Sequence, residues 1–356
     1  MTPEEEKELT EHINAIGKIL YKQAKPEQVE TLAKIEETVR GQILKEISPR
    51  IGGFFIQQRT GTNVGRKRSI KSILGNLILS EKQSIVLNLK SNQRISPYLT
   101  ECCLRASANV SYENAAQDIA RYTGMKVSGK SQQRLVHRYQ FNDSKCESKI
   151  AQISVDGGKV RLRTEKKGEA CIWRDYKAVC IDIQSRMAWF QENEKLVEWV
   201  NNQSFDSVLN CVGDGHPGIW NLMNQFNPQG KKRQILDWFH LVENLHKVGG
   251  SLRRIALARE LLWRGKVDAT LALFSSLKKK AAHNFCTYLQ NHRHRIINYE
   301  YFQTHDICAI ASGAVESTVK QIDRRLKISG AQWKIENVPQ ILKHRCAYLN
   351  NSLSVS

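Results

Sequence analysis

Apolar residues at helical spacing mark the first 48 residues of the chain. Apolar residues recur every three or four positions and form two stripes: Leu9, Ile13, Ile16 and Leu20, then Leu32, Ile35, Val39 and Ile43. This period is typical of amphipathic helices. Thr2 and Glu5 have the spacing of a capping box, with a proline at the first helical position between them. We therefore predict a helical hairpin over residues 1–48, broken at Pro26, whose stripes pack on each other or on a partner subunit.

Glycines and basic residues interrupt the pattern over residues 49–96. The aliphatic runs 77–79 and 85–87 predict brief strands. Arg66 and Arg68 lie in a basic, glycine-punctuated loop, which can contact DNA phosphates through side chains and backbone N–H groups. A solvated loop without a ligand explains the same composition equally well.

Helical spacing returns over residues 97–145. Ser111 can cap one helix that ends at Gly124, and Ser128 can cap a second helix that reaches about residue 139. Two helices joined by a short glycine turn form the helix-turn-helix layout. The second helix carries the residues that could meet DNA: Lys130, Arg134 and Arg138, with Gln132 and Gln133 suited to base edges. An ordinary helical hairpin is the alternative.

From residue 150 onward the pattern predicts strands and helices in alternation. Strands are predicted at 153–156 (continuing over 159–163), 178–183, 187–191, 209–215 and 234–237, with helices near 195–201 and 216–226. A helical, basic stretch follows over 239–301, and a last helix begins near Gly313. Three strands, then helix, strand, helix, strand and helix, is the order of an RNase H-like fold. We predict an α/β fold with an RNase H-like catalytic domain over 150–356, preceded by a mainly helical DNA-binding region.

Charge and cysteine content limit the classes of function. Fifty-four Lys and Arg residues against thirty-five Asp and Glu residues give a net charge of +19, which favours a polyanionic partner such as nucleic acid. The nine cysteines include no Cys-x-x-Cys pair, which argues against a zinc ribbon and for reduced cysteines. No apolar run approaches membrane-spanning length, and the acidic N-terminus does not resemble a signal peptide. We expect a cytoplasmic, nucleoid-associated protein without a membrane partner.

Two aspartates follow apolar strands and precede glycine, in Asp156-Gly157-Gly158 and Asp214-Gly215. Strand-end carboxylates can hold Mg²⁺ or Mn²⁺, and two such ions serve phosphodiester cleavage. A third carboxylate, Glu316, begins the last helix. Three basic residues follow it at helical spacing, on the same face: Lys320, Arg324 and Lys327. An acid at the start of a basic stripe suits a metal site beside DNA.

Five blocks in this order resemble the bacterial insertion-sequence transposases of the ISKra type, among the DDE transposases related to the Mutator class. The blocks are Asp156-Gly157-Gly158, Gly213-Asp214-Gly215, the segment 236–245, Ser312-Gly313-Ala314-Val315-Glu316, and the segment 320–333. The resemblance covers most of residues 150–346 and implies a catalytic, metal-binding triad of Asp156, Asp214 and Glu316. It also implies a helical insertion at about 239–305. Asp237 and His240 match the Asp-x-x-His element of the group, either in a catalytic role or as a helix cap with a packed histidine.

The resemblance thus implies a transposase that binds the terminal inverted repeats of its element, cleaves DNA with two metal ions, and joins the freed ends to target DNA. Two subunits or more are expected, because two element ends must be paired. Two alternatives stay open. One is an RNase H-like nuclease or resolvase that cuts without strand transfer. The other is a DNA-binding regulator derived from a transposase.

Overall fold

The computed structural model of the chain describes residues 1–143, 145–166, 168–182 and 185–354. They divide into an N-terminal unit, Met1–Leu135 with the residues from Leu353 onward, and a C-terminal unit, Val136–Ser352. The described part of the chain is a mixed α/β structure with a mixed central sheet, as the α/β part of the prediction requires. No helix in this part is both long and apolar enough to cross a lipid bilayer.

The N-terminal unit combines helices with one small hairpin. Its elements are α1 (Pro3–Gln23), α2 (Leu32–Gln42), α3 (Ser48–Thr60), β1 (Arg68–Ser72), β2 (Gly75–Leu79), α4 (Glu81–Val86), α5 (Pro97–Ser107) and α6 (Tyr112–Thr123), followed by α7 (Gly129–Arg138) across the boundary. Strands β1 and β2 are antiparallel. The predicted helices α1 and α2 are present, and the predicted capping box at Thr2 and Glu5 is formed.

Two predictions over residues 49–96 need correction. Residues 48–60 form helix α3, where a loop-rich segment was expected. The run 85–87, predicted as a strand, falls in and just after α4. Ser80 and Gln83 explain the second difference, because they form a capping box that starts a helix at Glu81.

Helices α6 and α7 begin and end close to the predicted positions. Ser111 caps α6 by accepting a hydrogen bond from Asn114 N, and Gly124 ends it in a left-handed conformation with φ of 73°. Ser128 accepts a hydrogen bond from Ser131 N at the start of α7. The helices enclose a small core of Leu99, Cys103, Ile119, Met125 and Val127.

The C-terminal unit is built on one five-stranded sheet. Its strands are β3 (Ile150–Leu162), β4 (Ile172–Ile181), β5 (Ser185–Phe190), β6 (Phe205–Gly213) and β7 (Lys231–Leu236). Its helices are α8 (Asn193–Asn201), α9 (Pro217–Met223), α10 (Trp238–His246), α11 (Leu252–Trp263), α12 (Val267–Phe274), α13 (Lys280–His292), α14 (Tyr299–Thr304), α15 (Gly313–Leu326) and α16 (Val338–Leu349). The predicted strands and helices are all present, although the predicted end of β4 at residue 183 lies outside the described residues.

The sheet has the order β5-β4-β3-β6-β7. Within this sheet, β4 is antiparallel to its neighbours β3 and β5, whereas β6 is parallel to its neighbours β3 and β7. Helix α15 packs on β3 and β4. Helices α10–α14 form the predicted helical stretch between β7 and α15, where Trp238 lies 4.8 Å from Trp263 and 5.0 Å from Tyr299 between ring centroids. The Tyr299 hydroxyl donates to Leu236 O at 2.8 Å, which ties this stretch to the end of β7.

Candidate active site

Strand register brings Asp156 and Asp214 to neighbouring positions. Ser154 on β3 pairs with Val212 on the parallel strand β6. Two residues further on, Asp156 and Asp214 therefore come to neighbouring positions. Asp214 directly follows the end of β6, as predicted. Asp156 does not end its strand, because β3 continues to Leu162. The strand-end interpretation of Asp156 is therefore wrong, although the register does place Asp156 beside Asp214.

The glycines after these aspartates are required by packing and backbone shape. A Cβ at position 158 would lie within 2.2 to 2.4 Å of the Tyr176 ring and hydroxyl, since Gly158 pairs with Tyr176 across β3 and β4. Gly215 has φ of 98°, a conformation that side chains rarely adopt. The two glycines thus let β4 approach β3 and let the chain turn sharply after Asp214.

Helix α15 brings Glu316 to the two aspartates. The Tyr176 hydroxyl donates to Asp323 Oδ1 at 2.8 Å, which fixes α15 against β4. Burial raises the pKa of Asp156, and the negative charges of Asp214 and Glu316 raise it further. The Gly157 N–H group and the Lys177 ammonium act in the opposite direction. Asp214 and Glu316 therefore both lie close enough to Asp156 for their charges to act on its carboxyl group.

Asp237 is fully buried and holds three parts of the site together. Its Oδ1 accepts a hydrogen bond from His240 N at 2.9 Å and so caps α10. Its Oδ2 accepts from Ser312 N and, at 2.7 Å, from Ser312 Oγ. The Ser312 hydroxyl also lies 3.2 Å from Glu316 Oε1. Asp237 therefore caps α10, which is one of the two roles predicted for it. It also bonds to the residue that precedes α15.

His240 contacts the candidate triad directly. Its Nε2 lies 3.3 Å from Glu316 Oε1, and its Nδ1 lies 3.6 Å from Glu243 Oε2. The histidine is therefore not merely packed beneath Asp237. It can donate a hydrogen bond to Glu316.

The basic stripe of α15 is exposed where it follows Glu316. Lys320 Nζ lies 3.9 Å from Glu316 Oε2, with 79% of its side chain exposed. Arg324 is exposed. Lys327 differs, because its Nζ lies 2.6 Å from Asp323 Oδ2. The first two side chains can reach a phosphate backbone, whereas Lys327 is already paired with an acid.

The DNA-contact candidates of the N-terminal region have different surroundings. Lys130, Arg134 and Arg138 are exposed and lie four residues apart along α7, as is typical of one helix face. Gln132 is fully buried, and its Oε1 accepts a hydrogen bond from Ser107 Oγ at 2.7 Å.

Gln132 therefore cannot read a base edge, which corrects the prediction, whereas Gln133 is exposed. Arg66 is also exposed. Arg68 is half-buried, and its Nη1 donates to the carbonyls of Lys90 and Ser91.

Three residues near the aspartates carry no sequence signal of a role there. Lys177 faces Gly157 across the β3–β4 pair, and its charge acts on Asp156. The Tyr288 hydroxyl of α13 lies 3.1 Å from where a Cβ of Gly215 would stand, and burial together with the charge of Asp214 raises its pKa. Burial and the nearby Arg295 lower the pKa of His292 to about 4, so this histidine is neutral near pH 7.

Comparison with known proteins adds no family assignment. No protein-family model matches this sequence, and no curated protein matches it significantly. The site must therefore be interpreted from its own geometry.

That geometry offers oxygen ligands for a divalent ion. Over the ranges that the structure describes, no group of three or more His, Cys, Asp or Glu side chains is arranged as a ready metal site. Mg²⁺ does not need one, because it takes one or two protein carboxylates and completes its shell with water and substrate phosphates. The carboxylates of Asp156, Asp214 and Glu316 offer oxygen ligands of that kind.

Proposed function

We propose that this protein is a DDE transposase with an RNase H-like catalytic domain. One observation carries the proposal: the register of β3 and β6 places Asp156 beside Asp214, and Glu316 on α15 lies close enough that its charge, like that of Asp214, raises the pKa of Asp156. The sheet order β5-β4-β3-β6-β7, with three antiparallel strands followed by two parallel ones, supports the fold assignment. The helical stretch before Glu316 supports it as well.

Asp156, Asp214 and Glu316 would hold two Mg²⁺ or Mn²⁺ ions. When bound, such ions activate the attacking water and stabilise the leaving oxygen of a phosphodiester. The protein's own contribution is negative charge at fixed positions. Asp237 and Ser312 hold the start of α15, which carries Glu316. His240 lies within hydrogen-bonding distance of the same Glu316 oxygen that Ser312 contacts, so it can help to orient this carboxylate.

The surrounding basic residues would bind DNA. Lys320 and Arg324 lie one and two turns beyond Glu316, so a phosphate backbone along α15 would pass next to the carboxylates. On α7, Lys130, Arg134 and Arg138 present a basic face suited to the element's inverted repeats. A net charge of +19 favours this class of partner.

The test uses duplex DNA carrying the inverted repeat that flanks the gene, with Mg²⁺ or Mn²⁺. Three variants each remove one ligand charge at nearly constant shape: Asp156→Asn, Asp214→Asn and Glu316→Gln. Each should abolish cleavage and leave binding to the DNA largely intact. Asp175→Asn, which changes an exposed acid on β4, should cleave like the parent. Cleavage by Asp214→Asn in Mg²⁺ would show that the triad is wrongly assigned.

Strand transfer separates a transposase from its two alternatives. With pre-cut element ends and a plasmid target, a transposase joins the 3′-hydroxyl of the element to the plasmid. An RNase H-like nuclease or resolvase cuts the DNA without forming joined product. A regulator derived from a transposase binds the repeats and neither cuts nor joins them.

A further inference from the structure

Helix α1 is long and well capped, yet its apolar stripe is largely exposed, and only Leu20 at its end is half-buried, beside Gln42. The helix spans Pro3–Gln23, 21 residues, and none of them is buried. Leu9, Ile13 and Ile16 leave 47%, 56% and 39% of their surface exposed. A helix without tertiary packing is marginal in water, because most helical stability in proteins comes from burying an apolar face. The apolar stripe of α1 therefore calls for a partner surface.

The spacing of this stripe matches a second copy of the same helix. Leu9, Ile13, Ile16 and Leu20 are separated by four, three and four residues, a sequence of intervals that reads the same in both directions. Intervals of three and four are those of a coiled-coil seam. When two copies lie antiparallel about a twofold axis, Leu9 faces Leu20 of the second copy and Ile13 faces Ile16. All eight apolar side chains then meet an apolar side chain.

The charges of α1 favour the antiparallel orientation. Its first half carries five acids: Glu4, Glu5, Glu6, Glu8 and Glu11. Lys18 and Lys22 lie in its second half, and Lys25 follows it. Antiparallel pairing places the acidic half of one helix beside the basic half of the other, whereas parallel pairing places acid beside acid. Charges on two paired helices lie within a Debye length of each other, so like charges repel and the parallel orientation is disfavoured.

We propose that α1 is a self-association helix, which pairs antiparallel with α1 of a second copy of this chain and makes the protein a twofold-symmetric dimer. The interface is isologous, as is common for dimers. This proposal goes beyond DNA cleavage and is tested without DNA, so its failure and the failure of the transposase proposal are distinguishable.

The first experiment measures molecular mass in solution by sedimentation equilibrium, over a range of protein concentrations. The parent chain should be a dimer that dissociates on dilution. Ile13→Asp with Ile16→Asp should raise the dimer Kd by about a hundredfold or more, because unpaired carboxylates would be desolvated at the seam. Tyr21→Asp is the matched control, since Tyr21 is 69% exposed and lies off the stripe. It should leave the Kd within about threefold of the parent value.

Because α1 buries no residue, all three chains should unfold at the same temperature when each is diluted below its dimer Kd, where association no longer stabilises the native state. Misfolding would be recognised there by a lower melting temperature. A monomeric parent overturns the proposal, as does a double variant that dimerises like the parent. A control variant that loses the dimer along with the double variant overturns the assignment of the stripe.

The second experiment tests orientation by disulfide cross-linking under mild oxidation. Leu9→Cys alone should form no linked dimer beyond the parent background, because the two copies of position 9 lie eleven residues apart along an antiparallel pair, about 16 Å. Leu20→Cys alone should behave in the same way. A mixture of the two variants should give a linked dimer, because position 9 of one chain faces position 20 of the other. Strong linkage in either single variant, or none in the mixture, would contradict the antiparallel arrangement.

Discussion

Ser312 Oγ donates a hydrogen bond to Asp237 Oδ2 across 2.7 Å, although the two residues lie 75 positions apart in the sequence. Both side chains are buried. Asp237 follows β7 and caps α10, while Ser312 precedes α15. This contact therefore fixes the start of the Glu316 helix relative to the sheet, and its removal should affect folding before it affects chemistry.

Asp237→Ala should lower the free energy of unfolding by about 3 kcal/mol, because it leaves buried donors of Ser312 and His240 without their acceptor. Asp237→Asn keeps one acceptor oxygen and should cost less. Urea unfolding measures both effects. The exposed Asp175→Ala should change stability by no more than about 0.5 kcal/mol. If Asp237→Ala unfolds like the parent but cannot cut DNA, then Asp237 acts in the chemistry and not as a structural tie.

Asp156→Asn should stabilise the folded chain while it abolishes activity. The pKa of Asp156 is raised by burial and by Asp214 and Glu316. The native state therefore binds more protons than the unfolded chain just above the ordinary Asp range, and stability falls as the pH rises through that window. The asparagine removes this loss, so its melting temperature should exceed that of the parent at pH 7.

The gain should shrink as the pH falls toward about 3.9, the ordinary pKa of Asp. Added Mg²⁺ should raise the melting temperature of the parent more than that of the variant, because ligands that bind only the native state stabilise it. A variant that melts below the parent at pH 7 would mean that the folded protein stabilises the Asp156 carboxylate. That result would contradict the raised pKa of this group.

Local sequence patterns predict the elements of the fold well. The apolar stripe and the capping box at Thr2 and Glu5 act within a few residues, so they define α1 without reference to the rest of the chain. The run 85–87 shows the limit of this approach. A short apolar run is compatible with a strand or a helix. Here the capping box at Ser80 starts a helix that includes residues 85 and 86.

The site depends on contacts that no local pattern contains. Gly158 is a glycine because the Tyr176 ring occupies the space of its side chain, so the glycines after Asp156 do not mark a strand end. The roles of Ser312 and His240 follow from their contacts with Glu316 in the folded chain. The sequence could nominate the three acids with Asp237 and His240 as candidates, but not the contacts of Ser312 and His240 with Glu316.

His240→Gln should weaken the use of metal without unfolding the protein. His240 Nε2 lies 3.3 Å from Glu316 Oε1, and residues that orient metal-binding carboxylates typically contribute 10- to 100-fold in metal affinity or activity. The Mg²⁺ concentration for half-maximal cleavage should therefore rise by about 10-fold or more. His246→Gln, an exposed change on the same helix, is the control. An unchanged Mg²⁺ dependence for His240→Gln would remove His240 from the site.

Substitutions of the two neighbouring glutamines on α7 should affect different properties of the protein. Gln132→Ala should destabilise the N-terminal unit by about 1 kcal/mol or more, because Gln132 is buried and bonded to Ser107. Gln133→Ala should leave stability unchanged. If α7 reads DNA, Arg134→Ala and Gln133→Ala should weaken binding to the inverted repeat, with a base contact contributing about 1–3 kcal/mol of discrimination. Equal footprints for parent and both variants would exclude this helix from recognition.

The last prediction concerns the exposed residues beyond Glu316. Removing one side chain that neutralises a phosphate lowers the slope of log K against log salt by roughly 0.9 for duplex DNA. Lys320→Ala with Arg324→Ala should therefore flatten the slope by nearly two units and slow cleavage at saturating DNA, since a misplacement of about 1 Å can cost about a hundredfold in rate. Lys327→Ala is the matched control, because Lys327 is already paired with Asp323 and should change the slope much less. A double variant with the slope and rate of the parent would show that this face of α15 meets solvent and not DNA, and it would weaken the placement of Glu316 beside the scissile phosphate.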